Sequence, residues 1–118
     1  MNKIRILVVE PNQAPYKLKV NNNLKGLHGV VEGLIEYVEL EHNIDLVCNE
    51  EFLMLALPMN RIVGETIIFG TFFIAGYNEE GETILLSKKQ IKKYKKIFKY
   101  DNGKKLREFF RDNIISKL

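Results

Sequence analysis

The sequence of 118 residues contains a single cysteine, Cys48, so the chain cannot form an internal disulfide. One cysteine is typical of a protein from a reducing compartment. No apolar run approaches the roughly 20 residues that a membrane-spanning helix needs, and the first residues lack the pattern of a signal peptide. We therefore expect a soluble, cytoplasmic protein that makes no contact with a membrane.

Motifs of catalysis and of metal binding are also missing. His28 and His42 are the two histidines, and neither belongs to a recognisable set of metal ligands. Gly26 and Gly29 fall within a predicted helix rather than in a phosphate-binding loop between a strand and a helix. The sequence therefore predicts no metal, no cofactor and no enzymatic activity.

Charge is present in both signs but is divided unevenly along the chain. Residues 1–86 contain six Lys/Arg against twelve Asp/Glu, whereas residues 87–118 contain twelve Lys/Arg against three Asp/Glu. A basic tail on an acidic body is typical of proteins that bind nucleic acid or another anionic partner. The same asymmetry fits a tail that docks on its own body, or on a second copy in a homo-oligomer.

The fold is indicated most clearly by residues 67–77, IIFGTFFIAGY, the longest apolar run of the chain. Both alternating faces of this run are apolar, which predicts a central strand covered on both sides. Gly33 predicts the left-handed end of a helix over about residues 24–32, whereas residues 59–65 form the most irregular segment. Further strands are predicted at residues 4–9, 16–20, 35–40, 45–49, 52–57 and 82–86, the first two as a hairpin.

The C-terminal third is predicted to be helical. Ser87 and Gln90 have the spacing of a capping box, which begins a helix whose apolar side is surrounded by lysines. A last helix covers about residues 104–117. Together these patterns predict a single α+β domain with a mostly antiparallel sheet, one helix between early strands and two C-terminal helices. A candidate basic surface for a partner, with a generic solvated face as the alternative, consists of Lys88, Lys89, Lys92, Lys93 and Lys96.

Asn60 and Arg61 are the candidate ligand-binding or partner-binding residues of the acidic body. Arg61 is the only arginine between Arg5 and Arg107, and its guanidinium group could bind an anion through two parallel hydrogen bonds. Asn60 beside it offers an amide to a base or to a phosphate. The alternative interpretation is a structural ion pair between Arg61 and a nearby glutamate.

Several stretches of the chain form a recognisable set: VVEPNQAPY, LVCNEE, LALPMNR, GTFFIAG and the pattern S-x-x-Q-I-x-x-Y. As a set they resemble an uncharacterised domain family of phages and mobile elements of Gram-positive bacteria. The similarity covers about residues 4–94, so that residues 1–98 would form the family-like core and residues 99–118 a basic C-terminal helical extension.

The resemblance implies a phage-type accessory protein in the host bacterial cytoplasm, a class that includes inhibitors of host defence. It brings no known catalytic residues. We therefore expect a non-enzymatic counter-defence inhibitor that captures a host defence protein or a nucleotide signal. The alternative is a nucleic-acid-binding accessory protein that acts through the lysine-rich C-terminal helices.

Overall fold

The structure, a computed structural model, describes residues 3–51 and 55–114. It confirms the predicted fold class, an α+β domain with a mostly antiparallel sheet, one helix between early strands and two C-terminal helices. In chain order the elements are β1 (Lys3–Val9), β2 (Tyr16–Asn21), α1 (Leu24–Val31), β3 (Ile35–Glu41), β4 (Ile44–Asn49), β5 (Met59–Val63), β6 (Thr66–Phe69), β7 (Phe72–Tyr77), β8 (Thr83–Ile84), α2 (Lys88–Ile97) and α3 (Lys104–Ile114).

The main sheet has the strand order β2-β1-β7-β4-β3, and every neighbouring pair is antiparallel. The short β8 pairs with the end of β7. β5 and β6 pair with each other in a separate two-stranded sheet. In the part of the chain that the structure describes, β2 and β3 are therefore the two edges of the main sheet.

The central strand β7 is buried on both of its faces, as the sequence predicts. Phe72 and Phe73 are both fully buried and belong to two different hydrophobic clusters. The cluster of Phe72 lies under α2 and the β5–β6 hairpin, whereas the cluster of Phe73 lies under α1. Because each buried phenylalanine contributes about 1.5–3 kcal/mol, both covering layers are needed for stability.

The predicted continuous strand over residues 67–77 is wrong, because the chain breaks at Gly70. Gly70 has a φ angle of 76°, which glycine adopts without strain. Its N–H group donates to the carbonyl oxygen of Pro58 at 2.6 Å, and a Cβ atom here would lie 2.7 Å from Cδ1 of Leu57. The first half of the run therefore becomes β6, and only the second half enters the main sheet as β7.

The predictions for two neighbouring segments also need correction. Residues 59–65 are not irregular, because Met59–Val63 forms β5 and pairs with β6. Of the strand predicted at residues 52–57, residues 52–54 lie outside the described residues. The remainder is not a strand, because Ala56 has a φ angle of 53° and lies in a turn.

The ends of two predicted elements differ from the sequence interpretation, and the end of a third is not tested. The left-handed residue at the end of α1 is Glu32, with a φ angle of 60°, and not Gly33. Of the strand predicted over residues 82–86, only Thr83–Ile84 is a strand, namely β8. Leu86 lies outside it and has a fully buried side chain. The last helix is described as far as Ile114, and residues 115–118 lie outside the described residues.

Local capping begins α1 and α2 where the sequence predicts. The side chain of Asn23 accepts a hydrogen bond from the N–H group of Gly26 and caps α1. Ser87 and Gln90 form both hydrogen bonds of the predicted capping box at the start of α2. α2 then turns Ile91 and Tyr94 toward the sheet, whereas Ile97 and the lysines remain exposed.

Replacement of either central phenylalanine by alanine tests the two-sided burial of β7. We expect Phe72→Ala and Phe73→Ala each to lower the free energy of unfolding by about 3–5 kcal/mol, because each leaves a cavity in a packed cluster. The matched control is Tyr37→Ala, since Tyr37 is 47% exposed and should change stability by about 0.5 kcal/mol or less. Chemical denaturation followed by circular dichroism measures all three. A phenylalanine variant as stable as the control would place that face of β7 in solvent.

Candidate functional site

Asn60, one of the two predicted binding residues, is buried between three segments of the chain. Its Nδ2 atom donates to the carbonyl oxygens of Val9 and Gly70, each at 2.8 Å. Its Oδ1 atom accepts a hydrogen bond of 2.8 Å from Nη1 of Arg61. The two amide hydrogens are thus used to connect β5 to the end of β1 and to the break before β7.

Arg61 binds backbone oxygens of the protein itself. Its Nε atom donates to the carbonyl oxygen of Phe98 at 3.0 Å, and Nη2 donates to that of Gln13 at 2.6 Å. The guanidinium carbon also lies 5.9 Å from the centre of the Tyr100 ring. Burial lowers the pKa of Arg61, and the charge of Asp101 opposes that shift. Arg61 therefore connects β5 to the loop after β1 and to the end of α2.

The cavity beside Arg61 has a volume of about 40 Å³. Sites for drug-sized ligands usually measure about 300–1,000 Å³, whereas a water molecule needs only about 10–15 Å³. The cavity has space for a few water molecules and is too small for a nucleotide. Binding of a ligand or partner at Asn60 and Arg61 stays a prediction, and the contacts described above give both residues a structural role.

The five predicted lysines of α2 do not form a single surface. Lys88 and Lys92 line the space beside β1 and β2, whereas Lys89 and Lys96 lie on the open outer face of the helix, which Lys92 also borders. Lys93 is paired, since its Nζ atom lies 2.8 Å from an oxygen of Glu41. The hydrogen bond from Lys93 lowers the pKa of Glu41. One side of the lysine helix therefore contacts the acidic end of β3, and the other side faces β1 and β2.

The space between α2 and the first two strands is a groove of about 330 Å³, which we call the basic groove. Leu7 of β1 faces α2, and Arg5 lies on the same face because side chains alternate along a strand. The register pairs Lys17 with Leu7 and Lys19 with Arg5. The side chains of these two lysines therefore also face α2. Among the described residues, no carboxylate lines this space. The lining consists of Arg5, Lys17, Lys88, Ile91, Lys92 and Lys95.

The opposite face of β2 borders a second groove of about 290 Å³, which we call the mixed groove because both apolar side chains and carboxylates line it. Tyr16 and Leu18 lie at its edge and are 37% and 38% exposed. The Tyr16 hydroxyl donates to Glu10 at 2.7 Å, and burial together with this hydrogen bond raises the pKa of Tyr16 to about 12. At Gly29 an added Cβ atom would meet nothing within 4 Å. The lining consists of Val8, Glu10, Tyr16, Leu18, Gly26, Gly29, Val30, Glu32 and Thr71.

Sequence reasoning missed Arg5, Lys17 and Lys95 as members of the basic surface. Arg5 interrupts the apolar strand IRILVV, which is the one local signal that could have identified it. Its Nε and Nη2 atoms donate to the carbonyl oxygen of Leu86 at 3.1 and 2.9 Å, directly before α2. Arg5 thus holds the start of α2 beside β1.

Among the described residues, Cys48 carries the one thiol, and it is buried. Burial raises the pKa of the Cys48 thiol to about 11, so the thiol is protonated at neutral pH. Within residues 3–51 and 55–114, no three side chains of His, Cys, Asp or Glu come together as metal ligands. None of the helices in these residues has the length and apolar character that crossing a bilayer requires.

Comparison with known proteins gives one match. Residues 4–99 match a family described as "Domain of unknown function (DUF3846)". The matched region contains all residues of both grooves, and α3 lies beyond it. No curated protein and no solved structure matches the chain.

Removal of the Asn60 amide tests its structural role. We expect Asn60→Ala to lower the free energy of unfolding by about 1–3 kcal/mol, because the buried carbonyl oxygens of Val9 and Gly70 lose their donor. Asn22→Ala is the matched control, since Asn22 is exposed and donates to the carbonyl oxygen of Thr83. Water can replace that bond, so the control should lose about 0.5 kcal/mol or less. Equal stability of the two variants, measured by urea unfolding, would contradict the assignment.

Proposed function

We propose, from the premise that this chain belongs to the DUF3846 family of unknown function, that it is a non-enzymatic binding protein whose basic groove captures an acidic protein partner. The observation that carries this proposal is the collection of five cationic side chains around one groove. None of the five forms an ion pair with another described residue. Their mutual repulsion is relieved when an anionic group enters the groove.

The surroundings of the groove favour a polypeptide over a nucleic acid. The same edge strand carries exposed Tyr16 and Leu18 on its other face, next to Glu10 and Glu32. A polyphosphate backbone along this edge would approach those carboxylates, whereas a polypeptide can present acidic and apolar side chains alternately. Within the described part of the chain, no exposed aromatic ring lines the basic groove to stack on a base.

The proposal includes the expected biological role, a phage-type accessory protein that captures a host defence protein in stoichiometric amount. Capture requires affinity and access to the groove, and it requires no catalytic residue. A protein is favoured over a nucleotide signal as the captured partner. The reason is that the predicted anchor Arg61 already binds the backbone oxygens of Phe98 and Gln13 beside a cavity of about 40 Å³.

Charge reversal in the groove tests the proposal. The probe is a fluorescent 20-residue polyglutamate, titrated with the full chain and compared with a 20-base-pair DNA duplex at several salt concentrations. We expect the double variant Lys92→Glu/Lys95→Glu to bind polyglutamate at least about tenfold more weakly, which corresponds to about 1.4 kcal/mol. Binding by the unmodified protein should weaken as salt increases.

The matched control carries the same change of charge outside the groove, at Lys25→Glu/Lys104→Glu. Both of these lysines are exposed, and the control should keep its affinity for polyglutamate within about twofold, roughly 0.4 kcal/mol. Equal losses in the two double variants would show a response to net charge alone and would contradict a specific groove. Tighter binding of DNA than of polyglutamate, lost only in the groove variant, would replace the protein partner with nucleic acid.

A further inference from the structure

β2 is an edge strand whose two faces border different grooves. Its residues alternate so that Lys17 and Lys19 face α2, whereas Tyr16 and Leu18 face α1. In the described part of the chain, β2 pairs with β1 and with no other strand. A partner at this edge would therefore contact cations on one side and apolar surface on the other.

The backbone groups that β2 presents at this edge follow from the hydrogen bonds of β1. The carbonyl oxygens of Arg5 and Val9 are bound by Leu86 and by the Asn60 side chain, on the side of β1 away from β2. The N–H and C=O groups of residues 5, 7 and 9 therefore point away from β2, and those of residues 4, 6 and 8 form the backbone hydrogen bonds to β2. The residues of β2 paired with Arg5 and Leu7 consequently direct their N–H and C=O groups outward.

Lys19 and Lys17 are those outward-directed residues. We infer that the acidic partner docks on β2 as an added antiparallel strand, which forms backbone hydrogen bonds with Lys17 and Lys19. Residues directly opposite each other in an antiparallel pair have their side chains on the same face of the sheet. The added strand therefore carries acidic side chains opposite Lys17 and Lys19, and the residue between them is apolar and covers Leu18.

This inference rests on the proposed function and specifies the partner as an acidic–apolar–acidic segment in extended conformation. The mixed groove beside Leu18, at about 290 Å³, has space for an aliphatic side chain against Leu18 and has open space at Gly29. Lysines on an edge strand also discourage pairing with apolar or basic strands. The same two lysines thus select an acidic strand and reject others.

Two peptides of identical composition separate strand addition from attraction by charge alone. The first alternates, Glu-Val-Glu-Val-Glu-Val-Glu, and the second has its residues in blocks, Glu-Glu-Val-Val-Val-Glu-Glu. Both are capped at their ends, carry the same fluorophore and are titrated with the full chain. We expect the alternating peptide to bind at least about tenfold more tightly. N-methylation of its two central glutamates should abolish that advantage, because their N–H groups would bond to β2.

A variant of the protein tests the backbone hydrogen bonds that β2 contributes to the added strand. Lys19→Pro removes an N–H group that is directed outward, so the ladder to β1 is kept. We expect it to bind the alternating peptide at least about tenfold more weakly than Lys19→Gln, which removes the same charge and keeps the N–H group. The melting temperatures of both variants serve as the control for folding, and the N-methylated peptide tests the inference without any change in the protein.

The outcomes distinguish this inference from the proposed function. Equal binding of the alternating and block peptides overturns strand addition and leaves capture of acidic polypeptides intact. Failure of both peptides to bind overturns strand addition, and failure of polyglutamate as well overturns both proposals. Sedimentation that shows self-association of the chain, abolished by Lys19→Pro, would assign the edge to a second copy and overturn the inference of a foreign strand.

Discussion

The structure depends on the burial of β7 on both faces. Phe72 and Phe73 point in opposite directions from adjacent positions, so the sheet needs a covering layer on each side. α1 supplies one layer, and α2 with the β5–β6 hairpin supplies the other. α2 has only a narrow buried apolar side, formed by Ile91 and Tyr94 with Phe98 at its end, and most of the remaining surface is lysine. Covering Phe72 therefore brings a row of cations beside β1 and β2, and the basic groove is a consequence of core packing.

Polar contacts fix the position of α2 relative to β1 and the loop that follows β1. Arg61 binds the backbone at Gln13 and Phe98, while Arg5 binds the backbone at Leu86. These two arginines thus hold both ends of α2 through bonds to carbonyl oxygens rather than to carboxylates. A guanidinium group suits this task because its several donors have fixed directions. The sequence suggested that Arg61 would either bind a ligand or form an ion pair. The structure shows bonds to backbone oxygens, and ligand binding stays a prediction.

Patterns that depend on neighbours in the sequence could be predicted, and contacts between distant segments could not. The capping box at Ser87 and the two-sided strand at Phe72 each follow from a few adjacent residues. The break at Gly70 depends on Leu57 and Pro58, which lie directly beside it. No local pattern in the sequence predicts this contact between Gly70 and the two earlier residues. Counting charges over long segments of the sequence also failed to reveal the basic groove. Residues 1–86 are acidic in total, yet Lys17 lies next to α2 because of the strand order.

The strand order also separates the two signs of charge across the sheet. β2 carries Lys17 and Lys19 at one edge, whereas β3 carries Glu36 and Glu39 at the other, beside the Glu41 that pairs with Lys93. Four strand spacings of about 4.8 Å place these edges roughly 19 Å apart. Among the described residues, these two edges therefore contribute opposite signs to the electric field in the plane of the sheet. In dilute salt a field of this kind orients a charged body before contact, so the frequency of such encounters varies with ionic strength.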